Sequence, residues 1–102
     1  MSGTRQRLPN RRASEQFALA CNGLNYATSA SFFADGRLAE IFLNTAKHGT
    51  AVDVNARDAA VAASLLFQHG CPADTLRSAL TRNSDGSASG PLAHALDLLS
   101  ED

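Results

Sequence analysis

Apolar and polar positions alternate with period two near the start of the chain, then give way to a helical period. Phe17, Leu19 and Cys21 alternate with smaller or polar residues. After Asn22-Gly23, the residues Leu24, Tyr26, Thr28, Ala30 and Phe32 continue the alternation. Asparagine followed by glycine supplies the two positive-φ positions of a tight hairpin, and Asp35-Gly36 is a second signal of that kind. Leu38 to Asn44 reads as the third strand. With both pairs taken as two-residue loops, Cys21 lies opposite Leu24, Leu19 opposite Tyr26 and Phe17 opposite Thr28. On the other side Phe32 faces Ala39, Ala30 faces Ile41 and Thr28 faces Leu43. All of these positions then share one face of a three-stranded antiparallel meander.

A helix is expected from about Val54 to His69, with Asp53 as N-cap and Gly70 as the residue that stops it. It is apolar nearly all round, so Val61, Leu65 and Leu66 are expected to be almost fully buried. Arg57, Ser64 and Gln68 interrupt it on one stripe. Two readings of that stripe stay open: the wet edge of the helix with Arg57 paired to Asp53 or Asp58, or part of an anion site. Pro72 opens a second helix carrying Leu76 and Leu80, where its missing N–H costs nothing. Arg82 to Gly90 is a polar loop, and Pro91 starts a last helix with Leu92, Ala95, Leu96 and Leu99. The expectation is an α+β fold: a three-stranded antiparallel β-meander followed by two to three α-helices packed on one face.

The sheet face away from the helices is less polar than a solvated face should be. It is read as Ala18, Ala20, Ala27, Ser29 and Ser31 with Phe33, Leu38 and Phe42, and Glu40 as its acid. Phe33, Leu38, Glu40 and Phe42 are therefore candidates for a subunit interface, and a homo-oligomer is expected.

Several of these residues fall in an ordered pattern. Asp35-Gly36-Arg37 precedes Glu40-Ile41-Phe42, a Lys47-His48-Gly49 loop follows, the helix closes on Gln68-His69-Gly70, and Pro72 comes directly after. From about Phe17 to Leu80 the chain resembles the TSCPD domain. That small module is found at the C-terminal end of adenosylcobalamin-dependent ribonucleotide reductases and as free-standing bacterial proteins. The resemblance implies a reductase-like accessory domain with a nucleotide ligand or a larger reductase as partner. Two departures limit it. The motif that names the family is echoed only by Gly70-Cys71-Pro72-Ala73-Asp74, and 102 residues cannot build the reductase's radical barrel and cobalamin site.

Length bounds the chain to one domain with a modest core. Residues 15–102 are read as that domain and 1–14 as an arm. Arg5, Arg7, Arg11 and Arg12 give the first twelve residues +4, so the remainder carries −5 within a net charge of −1. Four arginines without interleaved aromatics make nucleic acid an unfavoured partner, and a solvated tail docking on an acidic body is the preferred reading. No apolar run is long enough to span a bilayer and no secretory signal is present, so no membrane partner and a cytoplasmic location are expected. Cys21 and Cys71 form no CxxC pair and read as reduced thiols.

The loop Lys47-His48-Gly49-Thr50 leads into the long helix. With Arg57 it is the candidate anion or nucleotide site, because a helix N-terminus presents free N–H groups. The alternative is an ordinary strand-to-helix loop. Glu40 has no second titratable group assignable beside it, and Ser64 has no evident base. His48, His69, His94 and the cysteines lack ligand spacing, so no metal, no cofactor and no catalytic residue are expected.

Overall fold

A computed structural model describes Arg5 and residues 13–46 and 49–100. Three strands come first, β1 (Ser14–Cys21), β2 (Leu24–Phe32) and β3 (Leu38–Thr45). Three helices follow, α1 (Ala51–Gln68), α2 (Ala73–Ala79) and α3 (Pro91–Ser100). The sheet is an antiparallel meander in the order β1-β2-β3, so the α+β architecture is as expected. Residues 1–4 and 6–12 of the basic arm lie outside the described residues.

The first hairpin turns at Asn22 (φ 53°) and Gly23 (φ 79°), which matches the right-handed twist of its strands. Cys21 pairs with Leu24, Leu19 with Tyr26 and Phe17 with Thr28, as the alternation requires. In the second hairpin Thr28 pairs with Leu43 and Ala30 with Ile41, also as read.

The rest of that hairpin differs from expectation. Ser31 pairs with Glu40 but Phe32 pairs with Leu38, so Ala39 is an extra residue on β3. Asp35-Gly36 is not a two-residue loop. Residues 33–37 form a wider turn, closed by Phe33 N–H to the Arg37 carbonyl (2.8 Å) and Gly36 N–H to the Phe33 carbonyl (2.9 Å). One inserted residue reverses which face the next side chain takes. Leu38 therefore joins Phe32 and packs against the core cluster. Phe33 is 4% exposed, with the Arg37 guanidinium 4.8 Å from its ring centroid. Neither Phe33 nor Leu38 belongs to the outer sheet face, which corrects their placement there.

The inner sheet face brings Leu19, Cys21, Tyr26, Ile41 and Leu43 against Ala56, Ala60, Ala63 and Phe67 of α1. Leu92, Ala95 and Leu96 of α3 complete the cluster. α1 runs along β3, while α3 contacts β1, α1 and α2.

α1 begins earlier than expected. Thr50 is the N-cap, its hydroxyl accepting from the Asp53 N–H at 3.2 Å. Asp53 sits in the first turn, with its carboxylate bonded to Thr45 and Arg57. The C-terminus closes as a Schellman motif on Gly70 (φ 98°), with Cys71 N–H to the Leu66 carbonyl (2.9 Å) and Gly70 N–H to the Phe67 carbonyl (3.2 Å).

Candidate functional site

β3 is an edge strand, so alternate N–H and C=O groups along it find no partner in the sheet. α1 supplies those partners with side chains. The Ile41 N–H donates to Ser64 Oγ at 2.8 Å, and that hydroxyl lies 3.0 Å from the Ile41 carbonyl and 2.9 Å from the Ala60 carbonyl. Gln68 Nε2 donates to the Ala39 carbonyl at 3.1 Å, and Arg5 Nε donates to Gln68 Oε1. The Thr45 N–H and hydroxyl donate to Asp53 Oδ1 at 3.0 and 3.1 Å. Asp53, Ser64 and Gln68 stand on one buried stripe of α1. The wet edge read from sequence is overturned at Ser64 and Gln68. Its other half stands: Arg57 Nε donates to Asp53 Oδ2 at 2.9 Å.

These contacts hold the Asp53 carboxyl well below its ordinary range, down to about 2. The Thr45 N–H is the largest cause, ahead of Arg57 and the Thr45 hydroxyl. Asp97 of α3 is likewise held low, by Arg82 first and then Arg77. Arg82 contacts it at 2.5 and 2.8 Å and Arg77 at 2.7 Å, which ties α2 and the 81–90 loop to α3.

The anion site read from sequence is only partly in view. Lys47 and His48 lie outside the described residues. Gly49 (φ 79°) and Thr50 are exposed, Thr50 capping α1 while Arg57 is bonded to Asp53.

Of the interface candidates, Phe42 is 43% exposed on the outer face and Glu40 is half-buried beside it, opposite Ser31. α1 adds an apolar stripe that was expected in the core: Val61 is 49% and Leu65 42% exposed, with Val54 on the same side. Their exposure corrects the expected burial. Leu66 is half-buried.

A cavity of about 410 Å³ lies between the β1–β2 hairpin tip, the first half of α1 and the start of α3. Tyr26 lines it at 3% exposure, and no described residue hydrogen-bonds its hydroxyl. Burial pushes the phenol's pKa up, with the Cys21 thiol and the Asp53 carboxylate adding to the shift. Asn22 and Asn55 are also in the lining, and Asn22 Nδ2 donates to the Ser89 carbonyl at 3.1 Å. Sequence reasoning passed over all three. Asn22 was read as a turn residue and Tyr26 as a core position, and the meeting of distant segments leaves no linear motif.

Among the described residues no three His, Cys, Asp or Glu side chains form a metal cluster, and no helix is long and apolar enough to cross a membrane. Cys21 and Cys71 are unpaired, and burial raises the Cys21 thiol.

No family model matches the chain, and no solved structure does. A vitamin B12-dependent ribonucleotide reductase of Agrobacterium fabrum is 33% identical over 81 residues, which are 79% of this chain and 6% of that enzyme. The chain thus spans a small fraction of the curated relative it matches, and over most of its own length it is linked in sequence to B12-dependent ribonucleotide reductases.

Proposed function

We propose that the chain is a reductase-like accessory module of the TSCPD kind that works by binding a nucleotide or a protein partner, without chemistry of its own. The observation that carries this reading is the match to a B12-dependent ribonucleotide reductase across most of this chain and a small part of that enzyme. The employment of the polar groups supports it. Asp53, Ser64 and Gln68 are bonded to the edge of β3, and Asp97 is clasped by two arginines. Groups held this way stabilise the fold and are poorly placed to exchange protons with a substrate. Thermal melts of the full chain against nucleoside mono-, di- and triphosphates test the nucleotide half, because a ligand that binds only the folded state raises the melting temperature. A flat response across the panel removes nucleotide binding and leaves the protein partner.

The exposed apolar groups favour a second reading, a module that docks on a larger reductase or on copies of itself. Phe42 on the outer sheet face and Val61 and Leu65 on α1 are large side chains left in water. An oligomeric sponge or sensor for a phosphorylated nucleotide signal is the form of this reading in which subunits also share ligand. Light scattering at micromolar concentration distinguishes a monomer from an assembly.

A further inference from the structure

Three features of the cavity beside Tyr26 point to one kind of occupant. Its described lining holds no charged side chain. Ala56 and Ala59, one turn apart on α1, give it a shallow apolar wall, and Pro91 contributes a second flat surface. Its polar groups are amides and hydroxyls: Asn22, Asn55, Thr81 and Tyr26. Small apolar walls with a few fixed polar groups are what a flat ring with a polar rim requires.

The polar groups are poised for an acceptor. Tyr26 is almost entirely buried, yet its hydroxyl meets no partner among the described residues. That hydroxyl can donate its proton to a ligand oxygen. α3 begins at Pro91, and no side chain among the described residues caps the N–H groups of Leu92 and Ala93, both in the lining. Those amides and the helix dipole favour electron-rich oxygen. The bond from Asn22 Nδ2 to the Ser89 carbonyl orients the Asn22 carboxamide, leaving its oxygen to accept from a ring N–H.

We propose that this cavity is a ligand site for an uncharged planar heterocycle of nucleobase or nucleoside size that carries a ring carbonyl. The proposal rests on the reading of the protein as a binding module and deepens it. Recognition falls on the ring, the phosphates being left outside. A volume of about 410 Å³ suits a nucleoside better than a longer ligand. Without a cation in the described lining, added phosphates gain little and binding depends weakly on salt.

Calorimetric titration of the full chain with uridine, uridine triphosphate and adenosine tests this. Uridine is expected to bind, the triphosphate to bind no more than about threefold tighter at physiological salt, and adenosine, which lacks the carbonyl, about tenfold weaker. Tyr26→Phe should weaken uridine about tenfold without lowering the melting temperature, since the hydroxyl has no protein partner to lose. Ala59→Phe should fill the cavity and abolish binding while the circular dichroism stays unchanged. Uridine that fails to bind at millimolar concentration, or binds both variants as it binds wild type, overturns the proposal. Triphosphate binding that survives Ala59→Phe places the ligand elsewhere and leaves the binding reading standing. Silence from all three ligands removes the site, and the nucleotide reading then stands or falls on the thermal-melt panel.

Discussion

On the side of α1 turned to β3 stand Asp53, Ser64 and Gln68 among alanines and Phe67; on the side turned away stand Val54, Val61 and Leu65. An ordinary amphipathic helix has the opposite arrangement. The difference comes from what the helix covers. A helix laid over the middle of a sheet meets side chains, and apolar residues serve it best. A helix laid along an edge strand meets unpaired backbone N–H and C=O groups, and each one left dry is destabilising. Ser64 answers Ile41, Gln68 answers Ala39 and Asp53 answers Thr45. Covering the edge this way also denies it to the strands of other molecules.

The largest expected contrast between the two sides is in packing. Phe67→Ala should lower stability by about 3–5 kcal/mol, because Phe67 is fully buried in the core. Leu65→Ala, two residues away on the outer side, should change it by no more than about 1 kcal/mol. Urea unfolding measures both. Equal losses would show that α1 is rotated about its axis relative to this structure.

Next in size is the polar contact itself. Ser64→Ala leaves the Ile41 N–H and C=O buried without their partner and should cost about 1–3 kcal/mol, whereas Ala62→Ser on the exposed side should be near neutral. Hydrogen exchange offers a local readout: the Ile41 amide should lose protection in the first variant and keep it in the second.

Acid should act selectively on the buried side. The Asp53 carboxyl is held at about 2 against an ordinary 3.8, so the ionised form stabilises the fold. That stabilisation is present above pH 3.8 and is lost as pH falls from there through 2. Asp53→Asn keeps an acceptor for the Thr45 N–H and removes the titration, so its stability should vary less with pH across that window. An acid limb identical to wild type would assign the titration to another carboxylate.

The smallest effect is expected on β2. Thr28 is buried on the inner sheet face and its hydroxyl has no partner among the described residues. Thr28→Val should raise the melting temperature slightly, since no hydrogen bond is given up. A fall would reveal a partner for the hydroxyl.

Much of the sheet was legible along the chain. Asn22-Gly23 named the first turn, and strict alternation then placed Leu19 against Tyr26. The second hairpin was less legible, because no residue in the sequence announces that Ala39 is the additional one. That single position moved Leu38 to the inner face, and the wider turn carried Phe33 out of reach of the outer one. α1 misled for another reason. Periodicity sorts residues by hydrophobicity, and here the buried side was selected by hydrogen bonding to β3. Of the candidate site, the sequence left Arg57 between an anion site and a pairing with Asp53 or Asp58, and the pairing with Asp53 is the one observed. The cavity beside Tyr26 was invisible, as it is assembled from residues of β1–β2, α1, the 81–90 loop and α3.

By itself the sequence determined the class of fold, the order of its strands and helices, and the register of the first hairpin. These follow from short-range rules: which residues accept positive φ, which alternate, and where proline and glycine begin and end a helix. Only the tertiary structure decided which side of α1 is inside, because that depends on the free backbone groups of β3. It alone placed Tyr26, Asn22 and the start of α3 around one cavity. Contacts between segments far apart in the chain are set by packing, and packing leaves no periodic trace in the residues that make them.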